Sequence, residues 1–125
     1  MAAIAEGDVV TYERTFSESE VRTFADLSND RQPRHLDPDD DGRLMVHGLL
    51  TATLPTKIGG DHEVLASHME FDFRRPVYAG QRVRCAVTFT DVTEGTDRDE
   101  VRADIECTVA GETVLSGAFE GVVSR

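Results

Sequence analysis

Asp30, His35 and the step His47-Gly48 fall inside one loop-rich passage, Leu27–Leu50, which reads LSNDRQPRHLDPDDDGRLMVHGLL. A carboxylate and an imidazole separated by a short Pro-containing loop can converge on one water. One group orients and deprotonates it while the other returns a proton to the substrate. Gly48 adds a second capability. A glycine opening an apolar helix lets a ligand approach bare backbone N–H groups, which in a first turn are unsatisfied and electropositive. A thioester or similar carbonyl placed there gains an oxyanion site. His47 has two readings, a substrate contact or a helix-capping or core histidine that orients the loop.

Other chemistries find less in the residues. Asp37-Pro38-Asp39-Asp40-Asp41-Gly42 opens like the D-x-D-x-D-G of a calcium loop. The position that needs a bidentate Glu falls on Gly48, and no paired helices flank the segment. His35, His47, His62 and His68 form no H-E-x-x-H or tight pair, which argues against zinc. Gly59-Gly60 follows a helix and does not open one, so it is no phosphate cradle. A G-x-S-x-G elbow is absent, and neither cysteine has a histidine near it in sequence.

These groups need a frame. Val9–Phe16 alternates as a first strand. Ser17-Glu18-Ser19-Glu20 is a capping box, with Phe16 and Val21 placed as its hydrophobic staple. Val21, Phe24 and Leu27 stripe a short helix ending near Ser28. Asn29–Met45 reads as loop. His47–Ile58 is apolar nearly all round, hence a buried helix bounded by Gly59-Gly60, with a kink or early end at Pro55. Leu65–Phe73, Arg82–Val92, Glu100–Val109 and Thr113–Val123 read as strands, with Thr93–Asp97 as a hairpin loop between the second and third of these. A helix apolar on all sides must be wrapped, and a five-stranded antiparallel sheet can wrap it. Cys85 and Cys107 sit on the apolar faces of two of these strands, as buried free thiols or, alternatively, a cross-strand disulfide.

At 125 residues the chain is expected to be one domain, 1–125, able to bury roughly two thirds of its unfolded surface. Its 24 Asp and Glu against 13 Lys and Arg give a formal net charge of −11. Such a field repels nucleic acid and anionic lipid, so neither is an expected partner. The acids are spread over the whole chain, which favours adaptation to high salt, as in a halophilic source, over an acidic docking surface for a basic partner. Any anionic ligand would need local arginines, and Arg31, Arg34, Arg43, Arg74 and Arg75 are the candidates. The sequence contains no apolar run of about 18 residues and no basic segment leading an apolar one, so a soluble, cytoplasmic protein is expected.

Four passages in order resemble the MaoC-type dehydratases of the hot-dog superfamily, close to the (R)-specific enoyl-CoA hydratases. The family's F-A-x-L-S-x-D meets Phe24-Ala25-Asp26-Leu27-Ser28-Asn29-Asp30. Its D-x-N-P-L/I-H-x-D meets Asp30-Arg31-Gln32-Pro33-Arg34-His35-Leu36-Asp37. Its V/I-H-G-M meets Val46-His47-Gly48-Leu49, and its F-x-x-P-V-x-x-G-D meets Phe73-Arg74-Arg75-Pro76-Val77-Tyr78-Ala79-Gly80-Gln81. The likeness spans about residues 7–123. It implies an α+β hot-dog fold, a curved five-stranded antiparallel sheet around one central helix, usually dimeric.

By resemblance, the catalytic acid/base pair falls on Asp30 and His35, and the N–H that binds the thioester carbonyl on Gly48. A supporting hydroxyl, Ser in relatives, falls on Thr53, and His47 stands beside the substrate. The implied reaction is reversible syn hydration of a trans-2-enoyl thioester, carried by coenzyme A, as in fatty acid or polyhydroxyalkanoate metabolism. It needs no metal or redox cofactor. Which of Asp30 and His35 delivers the proton stays open. Gln32 replaces the usual Asn, Arg34 replaces an apolar residue, and the loop after Asp37 is shorter than in the better-known hydratases. Two rivals remain, a hot-dog acyl-CoA thioesterase and a non-catalytic acyl-thioester-binding protein. A homodimer or higher homo-oligomer is expected from the family and from the strand His62–Phe73, whose polar face carries His68, Glu70 and Asp72.

Overall fold

A computed structural model describes residues 3–125 of the chain. In chain order the elements are β1 (Val9–Thr15), α1 (Glu18–Ser28), α2 (Pro33–Leu36), α3 (Gly48–Thr51), α4 (Thr53–Asp61), β2 (Leu65–Phe73), β3 (Arg82–Thr93), β4 (Arg98–Val109) and β5 (Glu112–Ser124). The strands form one antiparallel sheet in the order β1-β3-β4-β5-β2, and α4 packs against β1, β3 and β2. This is the hot-dog arrangement, a sheet laid around a central helix.

Strand alternation decides the inner face. Val83, Cys85, Val87 and Phe89 of β3 are buried, as are Val101, Ala103, Ile105 and Cys107 of β4. They close on Leu54 and Ile58 of the helix, each 1 % exposed. Emptying a fully buried aromatic site such as Phe89 costs about 3–5 kcal/mol, so this layer holds much of the fold. Cys85 and Cys107 are direct partners in the β3–β4 register and are free thiols. The Ala110-Gly111 turn, with both residues at positive φ, joins β4 to β5 with the two-residue geometry that matches strand twist.

The capping box of α1 forms as the sequence requires: the Ser17 hydroxyl accepts from the Glu20 N–H, and the Glu20 carboxylate from the Ser17 N–H. The central helix differs from expectation in two respects. It breaks at Ala52, a turn before Pro55, because Pro55 has no N–H for the Thr51 carbonyl and its ring crowds that carbonyl. It also continues through Gly59-Gly60 to Asp61, since burial of Ile58 and Gly59 outweighs the weak helix preference of glycine. A further short helix, Pro33–Leu36, lies within the passage expected to be loop, with proline in the first turn where a missing N–H costs nothing.

The two edges of the sheet differ. β1 alternates half-buried and exposed positions. β2 is bulged between Ala66 and His68 and leaves Leu65 73 %, Met69 38 % and Phe73 55 % exposed. Among the described residues no helix is long and apolar enough to cross a membrane.

Candidate active site

The passage Ser28–Gly48 is held by backbone bonds at every turn. Asn29 ends α1 in the left-handed region (φ 62), a conformation asparagine tolerates, and the Asp30 N–H then returns to the Ser28 hydroxyl at 3.1 Å. Arg22 reaches from α1 to the Leu36 carbonyl and fixes α2 against it. On the far side, the Val46 N–H donates to the Val77 carbonyl at 2.8 Å, and Met45 bridges Tyr78. The Pro76-Val77 motif thus clamps the segment that leads into His47.

That clamp sets the histidines. His35, 5 % exposed, donates Nδ1–H to the Met45 carbonyl at 2.8 Å. A carbonyl can only accept, so the neutral ring presents a bare Nε2 on its other side. This Nε2 stands 3.7 Å from Asp30 Oδ2, beyond direct hydrogen-bond range. The Gln32 amide donates to the other carboxylate oxygen at 2.9 Å and is the main cause holding the Asp30 carboxyl below its ordinary pKa. Asp30 is therefore ionised. Two acceptors stand side by side, and a water placed against both can donate one hydrogen to each.

His47 is 3 % exposed and has a different task. Its Nε2–H donates to the Asp30 carbonyl at 2.9 Å, and its ring stacks on His35 with centroids 3.6 Å apart and planes 15° from parallel. The Phe24 ring meets it edge-on at 4.9 Å. His47 thus fixes both the backbone of Asp30 and the plane of His35, while its buried Nδ1 has no partner among the described residues.

Asp30, His35, His47 and Gly48 line one cavity of about 450 Å³, within the range of small-molecule sites. The Gly48 N–H has no acceptor among the described residues. A Cβ at this position would come within 2.6 Å of the Phe73 ring, so only glycine leaves the amide and the ring so close. Thr53 does not line the cavity; its hydroxyl turns back to the Leu50 carbonyl. The hydroxyl side chain of the central helix that does line it is Thr51, 3 % exposed, with Ser28 lining it from the end of α1. Helical spacing could have found it, because a residue three after Gly48 shares its face and one five after does not.

A metal reading fails on ring geometry. Asp30, His35 and His47 each bring one ligand atom within 4.8 Å of the others. An imidazole binds a metal in its own plane at about 2.1 Å, and two parallel rings 3.6 Å apart cannot both do so at one point. In the acidic turn, Asp39 accepts from the Asp41 and Arg43 N–H groups and pairs with the Arg43 guanidinium. Arg43 also stands 3.4 Å from Asp41, so a protein cation already pairs with two of these carboxylates.

An antiparallel sheet laid around a helix, with an Asp/His pair and a glycine amide in one cavity, defines a hot-dog protein. The chain belongs to the MaoC-like domain family, whose model matches residues 2–110. It is 31 % identical to an (R)-specific enoyl-CoA hydratase of Rhodospirillum rubrum, over 91 % of this chain and 84 % of that one. It is also 31 % identical to a 3-hydroxybutyryl-CoA dehydratase of Methylorubrum extorquens, over 83 % and 71 % respectively. Among solved structures, the (R)-hydratase from A. caviae involved in PHA biosynthesis superposes with a TM-score of 0.86 at 24 % identity, covering 97 % of this chain and 98 % of that one.

Proposed function

We propose that the protein is an (R)-specific enoyl-CoA hydratase, adding water reversibly to a trans-2-enoyl thioester. The observation that carries this reading is the pair of adjacent acceptors, Asp30 Oδ2 and His35 Nε2 at 3.7 Å, in the same cavity as the Gly48 amide. A water donating to both acceptors turns its lone pairs toward the β-carbon. Gly48 N–H donates to the thioester oxygen, which gains negative charge as the new C–O bond forms. One member of the pair takes the water's proton, and the pair returns a proton to the α-carbon on the same face, giving syn addition. His47 is a positioning residue in this scheme, and Thr51 rather than Thr53 brings a hydroxyl of the central helix to the cavity.

The thioesterase alternative has less support. Its catalytic carboxylate belongs on or beside the central helix, where the first acid is Asp61, paired with Lys57 at the far end. Crotonyl-CoA is the direct test. The hydratase reading predicts loss of enoyl absorbance without release of free thiol, abolished in Asp30→Ala and His35→Ala. Release of thiol instead, or wild-type hydration in either variant, would overturn it.

Two further readings go with it. The uncovered apolar residues Leu65, Met69 and Phe73 at the β2 edge fit pairing with a second copy, which light scattering would report as a dimer. The dispersed acids fit a protein working in molar salt, with activity rising as salt is added.

A further inference from the structure

The cavity walls divide by charge. Val46, Val77, Val114 and Leu115 give an apolar interior, while Arg34, Arg74 and Arg75 line the same cavity and Asp30 is its one carboxylate among the described residues. Arg74 and Arg75 also line a neighbouring cleft of about 650 Å³ with Glu106, Glu112, Thr113 and Ser116. Residues common to an inner cavity and an outer cleft stand on the rim between them. An anion held there lies outside the apolar chamber, and so on the carrier side of a thioester whose acyl group is inside.

The arginines are placed to receive one. In a chain with 24 acids and 13 bases, a carboxylate is near almost every arginine. Arg34 is an exception: no ion pair or side-chain hydrogen bond among the described residues engages it, although it adjoins His35. Arg74 donates Nε–H to the Ser116 hydroxyl at 3.0 Å, which orients its guanidinium, and only a long 3.9 Å contact ties it to Asp72. Arg75 stands 3.7 Å from Glu112, with both side chains mostly exposed. Exposed pairs of that kind are weak, so a phosphate can take either arginine from its carboxylate at little cost. Of the acids in the outer cleft, Glu112 faces Arg75 and Glu106 accepts from the Thr113 hydroxyl.

We propose that Arg34, Arg74 and Arg75 form a phosphate-binding rim that takes the nucleotide phosphates of coenzyme A. The net charge of −11 favours this small carrier over a large acidic carrier protein, which would meet the repulsive field of the whole surface. The identity of the thioester rests on the hydratase reading; the phosphate rim itself does not.

Steady-state hydration of crotonyl-CoA, crotonyl-3′-dephospho-CoA and crotonyl-pantetheine separates the two. The ratio of kcat/KM on crotonyl-CoA to that on crotonyl-pantetheine reads the rim alone, because loss of folded enzyme cancels from it. Each of Arg34→Gln and Arg74→Gln is expected to lower this ratio about tenfold, the worth of one charge-assisted contact, through KM. Dephospho-CoA falls between the other substrates. A wild-type ratio near unity, an unchanged ratio in both variants, or better use of a crotonyl carrier protein than of crotonyl-CoA would overturn the proposal while leaving the hydratase reading intact. If the wild type hydrates none of the thioesters, the hydratase reading fails. Calorimetric titration with free CoA, against pantetheine, then judges the rim: binding of CoA weakened in Arg34→Gln supports it, and equal binding of both probes overturns it.

Discussion

Two stretches line the cavity, and their side chains are held in opposite ways. Ser28–Gly48 buries its two imidazoles beside a partly exposed Asp30 and fixes all three by bonds between side chain and backbone: Asp30 to Ser28, His35 to Met45, His47 to Asp30. Phe73–Val77 has its backbone tied down, Arg74 and Arg75 N–H to the Val114 carbonyl and Val77 to Val46, but it presents an exposed ring and two exposed guanidiniums with only weak side-chain partners. Groups that must meet a reacting atom within a few tenths of an ångström need the first kind of support. Groups that select and retain a substrate tolerate the second. The contrast assigns chemistry to one wall and recognition to the other.

Substitutions can break that division. The largest loss is expected in His35→Ala and Asp30→Asn, each lowering kcat about 10²–10⁴-fold in the crotonyl-CoA assay. Gly48→Ala comes next, at roughly 10–10²-fold in kcat/KM, because its methyl must displace the Phe73 ring before a carbonyl reaches the amide. Phe73→Ala is expected to raise KM by up to about tenfold with kcat held; a collapse of kcat there would place chemistry on the recognition wall as well. Gln32→Leu removes the donor that depresses the Asp30 pKa, so the folded value rises and the acid limb of the kcat/KM profile moves to higher pH. An unmoved limb would mean that Asp30 does not set it. Smallest is Ser17→Ala, which loses a cap remote from both walls: about 1 kcal/mol in denaturant unfolding, with kcat unchanged.

The same division governs what can be read from the chain before folding. Elements whose cause is local were legible. The Ser17–Glu20 box, the alternation of Val83 to Phe89 and the loop before Arg98 each arise from neighbouring residues and match in place and kind. Asp30, His35, His47 and Gly48 do share a cavity, as their crowding in one passage required. What escaped depends on partners distant in sequence or on helix phase. The stacking of His47 on His35 follows from Val77 clamping Val46, a contact that spacing within Leu27–Leu50 cannot disclose. Thr51 was missed for Thr53 because the helix phase was not counted from Gly48. The exposure of β2 was hidden for a related reason, since Leu65, Met69 and Phe73 are as apolar as core residues and only the edge position leaves them open.

Cys85 and Cys107 face each other across β3 and β4, both 0 % exposed, and the neighbouring Cys107 thiol together with burial pushes the Cys85 thiol far above its usual range. A thiol so placed is almost never thiolate, and only the thiolate reacts. Labelling reagents in solution therefore have to wait until the centre of the sheet comes apart. The rate at which this pair is modified becomes a clock on whole-molecule opening, built into the chain and readable with one thiol reagent in any salt concentration.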